Sequence, residues 1–494
     1  MASVSQATLP PRSARQAHQV RTEVVMCTSE YEVGGTCVNP RGVELPGIPS
    51  YAASLMASRT LLRFVVTALA LAALVAVGSA SASPLPSFGM PVRLGFAGGD
   101  DWEPAVAADR FGHVYALWTH YGDDPACPAC PSPHSELQVS TNGGRTWSTP
   151  RPLWPNVPDR QDDPQIVVDP VDGKTVYAAS MLGGKASQYV FKSTDFGASW
   201  TPALVENLQR GTDKDILAVR GEDVYLVYNA VQKIWASFSH DGGRTWTLDK
   251  VIANTNSKFG WSLPGGGGID SHGNAYFAWE GFTQNGKPSG PVNIFVTKTT
   301  DGGATWSSTF VGLSQAPPDC GSCGWAYWGA GTALAVDGRD RVYVMWNGNS
   351  VKFGPNRVFF RGSSDGGTTW SAAQDLSAAP GGSNNVFPAV VARGDGDVRV
   401  AWMDDRNGFD AFSGDPNGRW NVYYRSSTDA GRTWSGESQL SQYAPGYAYK
   451  FRDGFLQPYG DYMELDIDGA GLTHAAWGEG PSYQGPGNVF YVHS

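Results

Sequence analysis

The amino-acid sequence predicts an all-β protein, a β-propeller whose blades are four-stranded sheets arranged around a common axis. Two internal repeats and the composition support this prediction. The chain has 494 residues with 61 Gly, 33 Pro, 18 Trp, 20 Tyr and 21 Phe, and 17% of its residues are charged. This profile is typical of a turn-rich protein with a large aromatic core. Seven blades are favoured, and six are the alternative.

The first repeat is an eight-residue phrase of the pattern Ser/Thr-x-Asp/Asn-x-Gly-x-Ser/Thr-Trp, called a box below. It occurs six times, at Ser140–Trp147, Ser193–Trp200, Ser239–Trp246, Thr299–Trp306, Ser363–Trp370 and Ser427–Trp434. Asp or Asn can hydrogen-bond the backbone of its own turn, Gly can adopt a positive φ, and Trp can fill a gap between sheets. Each box is therefore predicted to be the turn of a β-hairpin.

The second repeat is an apolar strand, a polar turn and a second strand. It occurs seven times, with second strands that end at Trp118, Ser180, Tyr228, Trp279, Trp346, Trp402 and Trp477. The seventh copy is followed by a single strand, residues 488–492, so its sheet lacks a fourth strand. We expect the spare segment 90–96 to complete this last blade, because a closed ring has no exposed sheet edge. In the six-blade alternative, one strand pair is an additional hairpin.

The N-terminal region has the pattern of an export signal. After Met56 come a short basic stretch, the apolar run 64–77 and small residues with an A-x-A cleavage pattern. We expect residues 56–82 to be a secretory signal peptide, because the apolar run is too short for a comfortable membrane span. Residues 1–55 are then a disordered leader from an over-extended gene start, and residues 83–494 form the propeller. An uncleaved membrane anchor is the alternative.

The charge distribution limits the partners. The formal net charge is −10, and no Lys/Arg run follows the signal. A basic stripe is what nucleic-acid binding requires, so a nucleic-acid partner is not expected. We expect a secreted monomer without a membrane span in its mature form, and we expect its loop insertions to carry the function.

The six boxes, each placed after a strand pair, resemble those of the sialidases and their Asp-box (BNR repeat) relatives. This resemblance covers nearly all of the exported chain and implies a secreted sialidase-like glycoside hydrolase that acts on terminal sugars of glycans. In that family three Arg bind the sugar carboxylate, because the planar guanidinium suits a carboxylate. A Tyr activated by a Glu is the nucleophile, and an Asp is the acid/base.

Carried over to this chain, the resemblance assigns the catalytic pair to the last repeat. Tyr462-Met-Glu-Leu465 is similar to the family's Tyr-Ser-x-Leu strand. Tyr462 would be the nucleophile at the top of an innermost strand. Glu464, two residues along, would lie on the same face of the strand. The alternative is that Tyr462 is an aromatic residue that lines the central channel.

Further candidates lie in other loops. Asp405 and Arg406 resemble the family's Asp-x-Arg stretch, with Asp405 as the acid and Arg406 as a carboxylate clamp, although they lie in the sixth repeat rather than the first. The alternative is an ion pair that caps a surface loop. Arg452 and Arg160 are additional clamp candidates. Trp102 stands where the family has its first Arg, in Asp101-Trp-Glu-Pro104, and is a candidate contact for substrate.

Acidic residues recur on the loops that lead into the innermost strands. They are Asp100, Asp101, Glu103, Asp162, Asp163, Asp213, Asp215 and Asp461. If these loops converge, the mouth of the propeller is rich in carboxylates. No cofactor or metal ligand is assigned, but such a rim would suit a structural calcium ion, or a neutral or cationic glycan better than sialic acid. The alternative is that each Asp caps its own turn.

The cysteines form two C-x-x-C pairs, Cys127 with Cys130 and Cys320 with Cys323. The two pairs belong to different repeats, so a zinc site would require them to meet across the ring. Local disulfides are favoured in an exported chain. Two other functions stay open beside the sialidase-like hydrolase. They are a polysaccharide lyase on the same fold, and a non-catalytic propeller that binds glycan or protein.

Overall fold

The structure, a computed structural model, describes residues 87–494 except 97–99, 158, 184–186, 208–210, 231, 256–259, 284–290, 316–330, 407–416, 443–445, 447–458 and 483–484. Every regular element in these described ranges is a β-strand, and the strands form seven four-stranded antiparallel sheets. The predicted seven-bladed propeller is confirmed. No helix among the described residues is long and apolar enough to cross a membrane.

Each sheet is one blade, and the strands follow one another from the axis outward. Blade I contains β2 (Asp100–Ala108), β3 (Val114–Tyr121), β4 (His134–Ser140) and β5 (Arg151–Pro152). Blade II contains β6 (Gln161–Val168), β7 (Val176–Leu182), β8 (Ser187–Ser193) and β9 (Thr201–Asn207). Blade III contains β10 (Asp213–Arg220), β11 (Asp223–Ala230), β12 (Lys233–Ser239) and β13 (Lys250–Asn254). Blade IV contains β14 (Trp261–Ile269), β15 (Ala275–Phe282), β16 (Val292–Thr299) and β17 (Ser307–Ser314). Blade V contains β18 (Thr332–Val336), β19 (Val342–Gly348), β20 (Arg357–Ser363) and β21 (Gln374–Asp375). Blade VI contains β22 (Asn385–Arg393), β23 (Asp397–Asp404), β24 (Asn421–Ser427) and β25 (Ser438–Gln439). Blade VII contains β26 (Glu464–Ile467), β27 (Thr473–Glu479), β28 (Asn488–His493) and β1 (Val92–Arg93).

Blade VII joins the two ends of the described chain. Its outermost strand is β1, which pairs with β28 so that Val92 lies opposite Tyr491 and Arg93 opposite Phe490. The predicted closure by segment 90–96 is therefore confirmed, and the six-blade alternative is excluded. Pairing the two ends closes the ring, so no blade is left with only three strands.

The six boxes connect the third and fourth strands of blades I to VI. In the box of blade III, Asp241 Oδ1 accepts the N–H of Thr245 at 2.9 Å and the hydroxyl of Ser239 at 2.7 Å. The Ser239 hydroxyl oxygen accepts the N–H of Gly243 at 2.9 Å. The box therefore satisfies its own turn backbone, as predicted. Blade VII has no box because its fourth strand comes from the N-terminal segment.

The core lies between blades. Seven apolar clusters fill the interfaces between neighbouring sheets. Box tryptophans close these interfaces at the periphery, with Trp147 edge-on to Tyr491 at 4.8 Å and Trp434 edge-on to Phe360 at 4.9 Å between ring centroids. Burial of each large apolar side chain contributes roughly 1.5–3 kcal/mol, so the repeat is a stability device that holds the central loops in place.

A disulfide joins Cys127 and Cys130 in the loop between β3 and β4. The local disulfide predicted for this pair is confirmed. Cys320 and Cys323 lie outside the described residues, as do the predicted leader and signal peptide.

Candidate functional site

The innermost strands surround a central cavity of about 550 Å³. Its lining includes Lys214, Asp461 and Tyr462 near the N-terminal ends of these strands, and Arg110 and Arg393 at or just beyond their C-terminal ends. The second opening thus has arginine side chains, although Asp337 also lines the cavity there. We name the first opening the acidic end: Lys214, Asp461 and Tyr462 line the cavity there, and Glu103 and Asp163 lie beside Asp461, outside the described lining. We name the second opening the basic end, after Arg110, Arg220 and Arg393.

The backbone at the acidic end is irregular in several blades. Glu103 has φ 59°, Asp163 φ 50°, Lys214 φ 52° and Phe387 φ 53°, all in the left-handed region. Each of these residues lies where the register between the first and second strand of its blade shifts, which is a β-bulge. A bulge redirects a side chain, and a left-handed residue other than Gly costs free energy that the surrounding structure must offset. Such positions cluster at functional sites.

Carboxylates from three blades meet at this opening. One oxygen each of Glu103, Asp163 and Asp461 lies within 4.8 Å of the others. The Nζ of Lys214 lies 3.3 Å from Asp461 Oδ1 and 3.8 Å from the centroid of the Tyr462 ring. Burial, followed by the charges of Asp163 and Asp461, raises the pKa of Glu103 well above its ordinary value. The acidic end therefore combines three carboxyl groups, of which Glu103 has a raised pKa, with the amino group of Lys214.

Two further acids stand behind this cluster. Asp215 and Glu280 are 1% and 2% exposed. Burial is the main cause that raises the pKa of both carboxyl groups well above their ordinary values. Both oxygens of Asp215 and Oε2 of Glu280 make no hydrogen bond to the described part of the chain. Since Glu280 lines the cavity, the acidic character continues inward from the opening.

Tyr462 and Glu464, the predicted catalytic pair, both line the cavity. The Tyr462 hydroxyl donates to the carbonyl oxygen of Pro164 at 3.1 Å, and burial raises its pKa well above the ordinary value. Glu464 Oε2 accepts the N–H of Val106 at 3.1 Å, and burial raises the pKa of Glu464 to about 8. Asp466 Oδ2 accepts the N–H of Ala108 at 2.6 Å. Glu464 thus satisfies the inner edge of β2, a structural contact that the sequence did not indicate.

The other predicted acid and clamp lie on loops of blade VI. Arg406 makes a bidentate pair with Asp404, at 2.8 and 2.6 Å, and its guanidinium lies 3.4 Å from the centroid of the Tyr423 ring. Asp405 accepts the N–H of Asn384 at 2.6 Å. These contacts match the alternative of an ion pair that holds a loop. The described lining of the cavity includes Tyr462 and Glu464 but neither Asp405 nor Arg406.

The remaining candidates separate in the same way. Trp102 is fully buried, and its Nε1 donates to Asp100 at 2.7 Å. A Cβ on Gly487 would stand 1.9 Å from its ring, so this Trp packs against blade VII instead of presenting a face to substrate. Arg160 is 55% exposed and lies 3.3 Å from Asp162. Arg452 lies outside the described residues.

The sequence indicated the convergence of acidic loops but missed Lys214. The position of Lys214 in its repeat could have indicated its place at this opening. Lys214 follows Asp213 as Asp163 follows Asp162 and Glu103 follows Trp102, each at the bulge of an innermost strand. Of the acids named with these residues, Asp101 turns away to accept from Trp118 Nε1 at 2.9 Å. The rim is therefore carboxylate-rich, and only part of the predicted acid set forms it.

No family model matches the chain. Among curated proteins, the chain is 26% identical over 319 residues to a xyloglucanase from Paenibacillus sp., covering 58% of this chain and 28% of that protein. It is 25% identical over 323 residues to a xyloglucanase from Acetivibrio thermocellus, covering 56% of this chain and 34% of the relative. The chain therefore spans about a third or less of the length of the curated relatives it matches.

Solved structures similar to this one include a sialidase, a polysaccharide lyase and an arabinanase. A Hadza microbial sialidase matches with a TM-score of 0.39 and 14% identity, over 80% of this chain and 65% of that one. A PL25 ulvan lyase matches with a TM-score of 0.46 and 10% identity, over 81% and 95% of the two chains. The α-L-arabinanase of Penicillium chrysogenum matches with a TM-score of 0.42 and 12% identity, over 82% and 98%.

Proposed function

We propose that this protein is a glycoside hydrolase whose reaction centre is the acidic end of the central cavity. The observation that supports this proposal is the meeting of Glu103, Asp163 and Asp461, with oxygens within 4.8 Å, from three different blades. Most glycosidases place two carboxyl groups beside the scissile bond, one protonated and one ionised. A site that separates the pKa values of neighbouring carboxyl groups can supply both forms near neutral pH.

The roles follow from the environment of each group. Glu103 is the general acid, because burial and the charges of Asp163 and Asp461 raise its pKa. Asp163 is the second carboxyl group of the reaction, within 4.8 Å of Glu103. Inverting enzymes separate the two carboxyl groups by about 6.5–9.5 Å to admit a water, whereas retaining enzymes separate them by about 5–5.5 Å. The close approach of the two side chains therefore favours a retaining reaction with Asp163 as nucleophile.

The charge of the acidic end favours a neutral glycan as the substrate. A sugar carboxylate would meet Glu103, Asp163 and Asp461 with the cation of Lys214 already 3.3 Å from Asp461. A neutral sugar meets no such repulsion. The curated relatives are named xyloglucanases, and xyloglucan is accordingly the first substrate to test. We also propose that the protein is exported, on the signal pattern of residues 56–82.

A sialidase-like exo-hydrolase is the second candidate. Tyr462 lines the cavity at the N-terminal end of β26, which is the position that the family resemblance assigns to the nucleophile. In this candidate Lys214, 3.8 Å from the ring centroid, would stabilise a phenolate, and Arg160 would reach the carboxylate of the sugar from the rim. The bond from Tyr462 to the Pro164 carbonyl would have to break first.

The test is an activity screen of the purified protein on xyloglucan, other neutral glucans, arabinan, fluorogenic sialosides and uronic polysaccharides. The variants are Glu103→Gln, Asp163→Asn and Tyr462→Phe, with Arg406→Lys as a control in blade VI. Asn tolerates the left-handed backbone at position 163, so the fold should persist. Hydrolysis of a neutral glycan that is lost in Glu103→Gln and Asp163→Asn alone supports the proposal.

Other outcomes separate the alternatives. Sialoside hydrolysis that disappears in Tyr462→Phe would replace the proposal with the sialidase-like candidate. Unsaturated products from a uronic polysaccharide would indicate a lyase. Glycan binding without turnover of any substrate would leave a binding propeller and overturn the assignment of Glu103 as a catalytic acid.

A further inference from the structure

A second cluster of ionisable groups lies in blade I, around the loop that joins β3 and β4. It consists of His120 near the end of β3, Asp124 in the loop, and His134 and Glu136 on β4. All four are buried, with exposures of 0%, 3%, 0% and 0%. Neither the proposed hydrolysis nor the packing between blades accounts for so many buried polar side chains.

Two carboxyl groups of the cluster approach one ring nitrogen. His134 Nε2 lies 2.8 Å from Glu136 Oε1 and 3.7 Å from Asp124 Oδ2. The His120 ring packs edge-on against the His134 ring, with 5.2 Å between centroids. Two imidazoles and two carboxyl groups, from β3, β4 and the loop between them, therefore lie close together.

The far side of each imidazole is already held. His134 Nδ1 lies 2.7 Å from the carbonyl oxygen of Pro131, and His120 Nδ1 lies 2.7 Å from Asp101 Oδ1. In metal sites a ligating His usually donates its other N–H to a carbonyl or carboxylate, which fixes the ring and directs the free nitrogen at the metal. Both rings have this arrangement. His134 Nε2 faces Glu136 Oε1 and Asp124 Oδ2, and His120 Nε2 is buried without a hydrogen bond to any described residue.

One oxygen of each carboxyl group that faces His134 has no hydrogen-bond partner within the part of the chain that the structure describes. Asp124 Oδ2 and Glu136 Oε2 are buried and make no hydrogen bond to any described residue. Asp101, Asp124 and Glu136 place three carboxyl groups beside two imidazoles, and all five side chains are buried. A buried charge without a partner is strongly unfavourable, and a divalent cation would supply the missing partner.

We propose that Asp124, His134 and Glu136, with His120 as the fourth donor, form a binding site for a divalent transition-metal ion of the zinc type. Imidazole nitrogens combined with carboxylate oxygens suit zinc, whereas calcium and magnesium take oxygen ligands alone. This site differs from the calcium site predicted at the rim in its residues, its donors and its position in blade I.

The disulfide of the same loop supports this geometry. Cys127 and Cys130 are joined between Asp124 and His134, and Cys130 Sγ lies within 4.8 Å of the ligand atoms of both. A disulfide sulfur is a poor ligand, so Cys130 is not counted as a donor. The crosslink closes the loop that carries Asp124 and thereby holds this carboxylate against His134.

The experiment measures the zinc content of the purified full-length protein by plasma mass spectrometry. One preparation comes from cells grown in ordinary medium and the other from cells grown in zinc-supplemented medium. About one zinc ion per chain is expected for the wild type, as for a single site. The test variant is His134→Gln. The control is His113→Gln, because His113 also pairs with a buried Asp, 2.7 Å from Asp109, in the same blade but without a second imidazole. The control should keep its zinc, and His134→Gln should lose it.

A second readout guards against misfolding of the His134 variant. Thermal unfolding of chelator-treated protein is followed with and without added ZnCl2, since a ligand that binds only the folded state raises its melting temperature. The wild type and Glu222→Gln, an exposed control, should shift upward, and Glu136→Gln should shift less or not at all. Wild-type protein without zinc in either medium, together with an unchanged melting temperature, would overturn the proposal. Equal zinc content in His134→Gln and wild type would do the same.

Discussion

The two ends of the central cavity use charged residues in opposite ways. At the acidic end, Glu103, Asp163 and Lys214 occupy left-handed backbone in three successive blades. At the basic end, Arg110 is exposed and donates to the carbonyl oxygens of Pro170 and Val171. The first arrangement needs residues distant in sequence and a strained backbone, and the second needs only a long side chain near a carbonyl group.

Aspartates sharpen this contrast. Each of five innermost strands is followed at the basic end by an Asp, namely Asp109, Asp169, Asp270, Asp337 and Asp468, whose Oδ1 accepts the N–H of the residue two positions on. In blades I, IV and V this Asp also accepts a Tyr hydroxyl from the second strand. Such aspartates repeat because every blade needs the same turn. The acids at the other end differ from blade to blade, and we infer that these departures from the repeat carry the function.

The largest effect is expected from a change at the acidic end. Glu103→Gln should lower kcat/KM on a neutral glycan by about 10²–10⁴-fold, because it removes the proton that a general acid delivers to the leaving group. The melting temperature should stay near that of the wild type, since Gln can still accept the Thr119 hydroxyl, now 2.9 Å from Glu103. Steady-state kinetics and calorimetry of the same preparation measure both quantities. Activity within a factor of three of the wild type would remove Glu103 from the reaction.

The opposite result is expected at the basic end. Asp337 accepts the N–H groups of Arg339 and Arg341, at 2.8 and 3.1 Å, and the hydroxyl of Tyr343 at 2.8 Å. Asp337→Ala leaves the buried Tyr343 hydroxyl and two partly buried N–H groups without this acceptor, so it should lower the free energy of unfolding by about 3 kcal/mol. Urea denaturation measures this loss. The kcat/KM of the remaining folded protein should not change, and a specific loss of activity would break the division between the two ends.

How far the sequence predicts the molecule follows the same division. The boxes, the strand pairs and the closing segment recur or complement one another, so they predicted seven blades and closure by β1. Lys214 and Asp461 are in contact although they lie 247 residues apart, and no local pattern reports such a contact. Trp102 was expected at the substrate, but the bulge beside it shifts the alternation of the strand, and the side chain faces the core.

The predicted pairing of two adjacent residues, Asp405 and Arg406, also differs from the observed pairing because of strand alternation. Asp405 and Arg406 were expected to act together, but Arg406 pairs with Asp404, whose Oδ1 and Oδ2 it reaches at 2.8 and 2.6 Å. Alternate residues of an extended chain point the same way, so a pair two positions apart meets more readily than neighbours do. The spacing of charges along a strand is thus more informative than their adjacency.

A smaller effect is expected within the cavity. Burial raises the pKa of Glu464 from 4.5 to about 8, so the folded state binds a proton that the unfolded chain has released. Stability therefore falls as the pH rises from about 4.5 to 8. In Glu464→Gln, the loss of unfolding free energy between pH 6 and 8 should be smaller by about 1–2 kcal/mol. Urea denaturation at several pH values measures the slope, with exposed Glu222→Gln as a control that should match the wild type.

The smallest effect is expected for an arginine of the basic end. Arg393 is exposed and donates to the carbonyl oxygens of Asp468 and Gly469, the second at 3.3 Å. In Arg393→Ala water can replace these bonds, so the free energy of unfolding should fall by no more than about 1 kcal/mol, with kcat/KM unchanged. A loss of activity comparable to that of Glu103→Gln would mean that substrate engages the basic end. The binding site would then extend through the cavity from one opening to the other. The two ends would differ in their charged residues, but both would bind substrate.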